Sequence, residues 1–349
     1  MRTALSTLLT GLAAGVLLLA GPMSVRALNF TAGTITVLPP PAGSGYRVIQ
    51  QALDRLPAAG GTVVLAPGVY EIDRPLRLDR NGLALRGDGE ATVLRLADQA
   101  DCPVVILGPV KWQATAVVHD LSLADLVIDG NRSHQLMEGW VNPANNSGIQ
   151  NNGVMIQSAS NVTVSEVVAA HCRSGGLVTA NGVRHLTVSD FTAYDNQYDG
   201  LACYETEDSV FTRLDLHDNR AAGISLDLDF DHNVISDATL AGNDLGIFMR
   251  QSSNNQFSNV VISQSRHDGV FMAQWVRLTA SGWVPTPQTE CADNHFDGLD
   301  VHECAGVAFR VNDAGCVRNV IEDAQFTDNA RGSLVEPDAN LVRVQDGVE

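Results

Sequence analysis

A glycine followed by alternating apolar residues recurs at near-constant spacing through the chain, and few folds satisfy such a pattern. The unit occurs as Gly153-Val-Met-Ile, Gly176-Leu-Val-Thr, Gly200-Leu-Ala-Cys, Gly223-Ile-Ser-Leu, Gly246-Ile-Phe-Met, Gly269-Val-Phe-Met and Gly306-Val-Ala-Phe. Successive glycines are 23, 24, 23, 23, 23 and 37 residues apart. A second apolar stretch lies within several units, at Val162-Thr-Val, Leu186-Thr-Val, Val234-Ile-Ser and Val260-Val-Ile. Asparagine follows at Asn196, Asn219, Asn243 and Asn329. It tolerates left-handed turns, and stacked copies can share amide bonds from rung to rung.

A period near 23 with two or three short strands per turn predicts an all-β fold. The expected form is a right-handed parallel β-helix, a solenoid whose coils stack about 4.8 Å apart. Leucine-rich repeats would need their leucine-asparagine signature, and propeller blades a longer period. Val48, Ile49, Ala52, Leu53 and Leu56 share one face of a helix, so a short N-terminal helix is expected within a cap at about 46–60. Such a helix would cover the open sheet edges at that end. A single domain is expected over 28–349, with regular coils at about 117–335 and loop insertions at about 131–152 and 275–294. The later insertion accounts for the 14 residues by which the last interval exceeds the period.

Strand periodicity assigns the faces. The position after each glycine is apolar throughout and faces inward, as does the third. The second and fourth then point outward, and the fourth reads Gln157, Ala180, Tyr204, Asp227, Arg250, Ala273 and Arg310. Tyrosine, carboxylate and guanidinium are expected on three consecutive rungs.

The first 27 residues read as a secretory signal: Arg2, an apolar run from Leu8 to Ala20, then Val25-Arg26-Ala27 as the cleavage site. The run is too short for a bilayer span of roughly 20 residues. A periplasmic or secreted protein is expected, with no membrane insertion. Removing this segment takes away two arginines and no acid, so the net charge of -18 becomes -20. That balance argues against a nucleic-acid partner. Of the six cysteines, Cys291, Cys304 and Cys316 are close enough in sequence to pair, and Cys203 reads as a buried small side chain. No Cys/His cluster has metal-site spacing.

The segments Ile49-Gln-Gln-Ala-Leu-Asp54, Gly60-Gly-Thr-Val-Val-Leu-Ala-Pro-Gly-Val-Tyr70 and Leu85-Arg-Gly-Asp-Gly89 resemble the amino-terminal cap and first coil of the pectate-lyase-like β-helix superfamily. Within it, Leu126-Val-Ile-Asp-Gly-Asn-Arg132, Ala193-Tyr-Asp-Asn-Gln-Tyr-Asp-Gly200 and Asp208-Ser-Val-Phe211 are most similar to mannuronan epimerases, over roughly residues 46–275. The resemblance implies a polysaccharide or oligosaccharide partner. It does not carry over the epimerase motif Tyr-Gly-Phe-Asp-Pro-His, which aligns with Gly175-Gly-Leu-Val-Thr-Ala180, and no Asp-Pro-His occurs elsewhere.

The column at Tyr204, Asp227 and Arg250 is therefore the expected catalytic group of an epimerase- or lyase-like enzyme. Arg250 would neutralise a uronate carboxylate, and Tyr204 and Asp227 would transfer protons. Gln157, Glu205, Asp229, His267, Gln274, Trp275 and Arg310 are candidate substrate contacts. A hydrolase or transferase using Asp227 with Glu205 or Asp229 is an alternative. A non-catalytic glycan-binding protein is another. No cofactor is firmly implied, although the oxygens of Asp227, Asp229 and Asp231 could hold Ca2+ without the usual loop glycine and spacing. Trp140 and Trp283, on the two long segments, either stack on sugar or pack over the coil.

Overall fold

The computed structural model describes residues 29–31, 33–40, 45–140, 148–274, 276–279, 282–285, 290–338 and 342–345. The expected signal segment and Trp275 lie outside the described residues, as does the side chain of Trp283. The strands wind into a parallel solenoid of about 12 turns. Parallel stacking begins upstream of the expected coils: Thr34–Val37 pairs with Gly61–Leu65, which pairs with Leu83–Arg86 and so reaches Val118–Asp129. An antiparallel hairpin, 276–279 with 282–285, stands apart from the sheet.

The expected capping helix runs Gly45–Arg55, and its Ile49, Ala52 and Leu53 are buried against the first coil. Gln50 fastens it there. Its amide oxygen accepts the Arg77 backbone N–H at 2.9 Å, and its nitrogen donates to the Arg77 carbonyl at 3.3 Å.

Inward positions fill the solenoid as the alternation requires. Leu201, Ile224, Ile247 and Val270 stack in register, as do Cys203, Leu226, Met249 and Met272, and all are fully buried. Fully burying such side chains contributes roughly 1.5–3 kcal/mol each. All six cysteines are buried free thiols.

Corners are held by asparagines. Asn196, Asn219 and Asn243 form a buried ladder in which each Nδ2 donates to the next Oδ1, at 2.9 and 3.1 Å. A second ladder, which the turn signals do not reveal, joins Asn233, Asn255, Asn294 and Asn319. Asn329 lies in neither; it caps the Cys304 N–H instead. The ladder accounts for the glycine at two of its recurrences. A Cβ on Gly200 would lie 2.9 Å from Asn219 Nδ2, and one on Gly223 would lie 2.8 Å from Asn243 Nδ2.

The last coil departs from the expected register. Val270 pairs with Phe309, and Phe271 with Arg310, so Ala308, and not Gly306, stands opposite Gly269. Arg310 therefore belongs to the second outward column, beside Phe271, and not to the fourth. The interruption that carries the hairpin shifts the alignment by two residues and keeps the inward–outward alternation.

Candidate active site

One face of the solenoid is a sheet built from the first residues of Val154–Ala170 and Leu177–Tyr194 with Leu201–Tyr204, Ala222–Asp227, Leu245–Arg250 and Val270–Ala273. On it Tyr204 stands opposite Asp227 and Asp227 opposite Arg250, so the expected column exists, with neighbours about 5 Å apart. Its chemistry is less open than the column suggests. Asp227 is 2% exposed. Arg250 Nε donates to both its oxygens at 3.0 Å, Nη2 donates as well, and the Leu228 N–H adds a further bond at 2.9 Å. Burial raises the Asp227 pKa, and the bonds from Arg250 work against that. The guanidinium also lies 5.5 Å from the centre of the Phe248 ring. These two groups satisfy each other.

The open space lies one to three coils upstream. A cleft of about 530 Å³ is floored by Met155, Val178 and Ala202 of the second column and by Ala180 of the fourth. The short side chains of Val178, Ala180 and Ala202 leave room above the sheet. Two loops wall it, one carrying Trp112 and the other Glu138 and Gln150. Trp112 packs against Gly148, where an added Cβ would come within 2.9 Å of the indole. Arg132 ties the base of the second loop to the second coil beyond it, through the carbonyl and carboxylate of Asp195.

Three carboxyl groups, Glu138, Asp199 and Glu205, line this cleft. Asp199 precedes the Gly200 strand, and its Oδ1 accepts the Ala222 N–H at 2.9 Å. Burial pushes its pKa up to about 7, against only the opposing pull of backbone N–H groups. Among the described residues no cation pairs with it. Tyr204 lies in the same cleft, its backbone N–H held by Thr179 Oγ1 at 3.1 Å. Burial raises the pKa of its phenol, and the charges of Asp199 and Asp227 add to this while Arg250 opposes it. The phenol is thus a proton donor at neutral pH and a poor base. Tyr198 donates its hydroxyl to Glu138 Oε2 at 2.8 Å, which raises the tyrosine pKa and fixes the carboxylate.

Of the expected site residues, Tyr204 and Glu205 line the cleft. Gln157 does not reach it. The residue is fully buried, its Nε2 donates to the Pro109 carbonyl and its Oε1 accepts from Asn181, so it anchors the Trp112 loop and has no amide atom left for substrate. Arg310 is placed elsewhere by its register and pairs with Asp268 at 2.6 Å. His267 pairs with Asp244 at the exposed edge, and Asp229 accepts from Gln251 on an exposed turn. Gln274 packs against Gly315, and its backbone N–H donates to the Asp313 carboxylate. Trp140 packs against the core. Among the described residues no group of three or more His, Cys, Asp or Glu side chains is arranged to hold a metal ion.

Asp199, Glu138, Tyr198 and Trp112 were not singled out by sequence pattern. For Asp199 a signal existed, because an aspartate immediately before the anchoring glycine recurs as Asp268-Gly269.

The sequence matches a family model described as the right-handed beta helix region over residues 139–282. A search of curated proteins returned no match. Among solved structures, the chain resembles the A-module of mannuronan C-5 epimerase AlgE4 from Azotobacter vinelandii, with 18% identity, a TM-score of 0.54, and coverage of 86% of this chain and 95% of that one. An alginate lyase from Paenibacillus gives 12% identity and a TM-score of 0.59, covering 89% and 99%. An endo-xylogalacturonan hydrolase from Aspergillus tubingensis gives 13% and 0.57, covering 90% and 94%. At these identities the likeness is one of fold. With its stacked parallel coils, its asparagine-held corners and this match, the chain has the fold of a right-handed parallel β-helix.

Proposed function

We propose that this protein is an exported, polysaccharide-active enzyme that cleaves a glycosidic bond by acid–base chemistry in the cleft between the Trp112 loop and Asp199. The feature that carries the reading is a carboxyl, Asp199, that lines a sugar-sized cleft and whose pKa burial pushes up to about 7. A proton-bearing carboxyl beside a second, ionised one is what hydrolysis of a glycoside requires. Asp199 delivers its proton to the leaving-group oxygen. Glu138, oriented by Tyr198, is the second carboxylate and activates water or attacks the sugar. Tyr204 donates a hydrogen bond to the sugar bound between them. Export is part of the proposal and is supported by the character of the first 27 residues.

A second reading, epimerase- or lyase-like chemistry on a uronate by Tyr204, Asp227 and Arg250, is favoured by one observation. The guanidinium side chain of Arg250 is 32% exposed and acts electrostatically on Tyr204. A screen of glycans that measures reducing ends and the ultraviolet absorbance of unsaturated uronates separates the two. Hydrolysis gives reducing ends without the absorbance, and these disappear in Asp199→Asn. Absorbance that survives Asp199→Asn and is lost in Arg250→Ala establishes the second reading. Binding without either product makes the protein a glycan-binding module.

A further inference from the structure

We infer that the sugar unit held in this cleft carries no anionic substituent. The inference rests on the reading of the cleft as a glycan site and concerns which glycans fit it. The lining supplies Glu138, Asp199 and Glu205 and, among the described residues, no lysine, arginine or histidine. Two cations lie near enough to act on its tyrosines. Arg250 acts on Tyr204 but is bonded to Asp227, and Arg173 acts on Tyr198 from outside the lining. A uronate seated here would bring its carboxylate beside Glu138 and Glu205 with no cation in the lining to offset them, and such like-charge juxtaposition opposes binding.

What the cleft does offer suits hydroxyl groups. Asn152 accepts from the Gly175 N–H through Oδ1, while its Nδ2 meets only Met155 Sδ at 3.7 Å, so a good donor bond is open. Gln150 accepts from Ser174 through Oε1, and Gln113 also lines the wall. Amides bond neutral hydroxyls as donor and acceptor alike. The indole of Trp112 and the apolar floor of Met155 and Val178 match the C–H face of a pyranose.

The test uses matched polymers: polygalacturonate, polymannuronate and polyglucuronate, each beside its carboxyl-reduced, neutral form. Binding is measured by calorimetry on the full chain as Asp199→Asn, which prevents turnover, and on the same chain with Trp112→Ala added. At least one reduced polymer is expected to bind about tenfold or more tighter than its parent at low salt, a difference of about 1.4 kcal/mol. The gap should narrow as salt screens the repulsion and again in Glu138→Gln/Glu205→Gln. Binding should weaken when Trp112 is removed. A polyuronate that binds as tightly as its reduced form overturns the inference and leaves the glycan reading standing. Failure of every polymer to bind, or binding indifferent to Trp112, removes the glycan reading of this cleft and the inference with it.

Discussion

Asp199 and Asp268 hold the same place in two different coils, and they differ by one arginine. Each precedes a strand-opening glycine, and each Oδ1 accepts a backbone N–H from the next coil, Ala222 for Asp199 and Val307 for Asp268. Asp268 is neutralised by Arg310, which stands two residues beyond Ala308 on that next coil. The corresponding position beside Asp199 is Ser225. Without a cation, burial outweighs the backbone N–H bonds at Asp199, and its pKa rises to about 7. The backbone frame is shared, so reactivity is decided by which outward side chain the following coil supplies. The surroundings follow the same division. Beside Asp199 the outward Val178, Ala180 and Ala202 are small and leave a cleft, whereas the downstream rungs are filled by the Asp227–Arg250 pair and by Phe248 stacked on Phe271, centroids 5.7 Å apart.

Several substitutions would break this comparison. Asp199→Asn should reduce kcat by about 10²–10⁴-fold, the usual contribution of a positioned proton-transfer group, whereas Asp268→Asn should leave turnover intact. In the wild type, activity that needs protonated Asp199 should fall as pH rises through about 7, and a pH–rate profile reads this directly. Arg250→Met should destabilise the fold by about 3–5 kcal/mol, because a buried carboxylate loses its partner. A denaturant midpoint reports the loss, and adding Asp227→Asn should restore much of it.

Exchanging the arginine gives a more pointed test. Ser225→Arg should supply Asp199 with the partner that Asp268 has and move the upper limit of activity down by about 1–3 pH units. Arg310→Ser should leave that limit where it is. The smallest effect expected is on stability. The Asp199 carboxyl is protonated more readily in the folded chain than its ordinary value of 3.8 allows, so its favourable contribution is complete below that value and is lost as pH rises through about 7. At pH 8 the ionised group then costs at most about 4 kcal/mol. Asp199→Asn should therefore be more stable than wild type at pH 8, by part of that amount, and equal to it near pH 4.

The fold was legible because it is periodic. One inward position without a polar exception, repeated every 23 residues, leaves little besides a solenoid, and the register of Tyr204, Asp227 and Arg250 follows from alternation alone. Alternation also has a limit. It aligned Gly306 with Gly269, but a shift of two preserves the pattern, so only the pairing of Phe309 with Val270 reveals where Arg310 stands. The cleft was not legible for a different reason. Its walls come from Trp112 and Glu138, far from Asp199 in sequence, and the reactivity of Asp199 comes from desolvation and from a missing cation. Neither leaves a mark on local pattern. Asp227 looked reactive because the same column that displays it also hides how completely Arg250 satisfies it.

Every link of the two asparagine ladders runs the same way, the amide nitrogen of an earlier coil giving its proton to the oxygen of a later one. The ladders therefore have a head and a tail, and their aligned amides strengthen one another along the axis. They record direction and pitch but no address, since an amide slipped by one rung would meet an equivalent partner. Outward side chains are thereby released from the task of holding the stack together. A coil can exchange serine for arginine, or alanine for tyrosine, and still sit at its proper height.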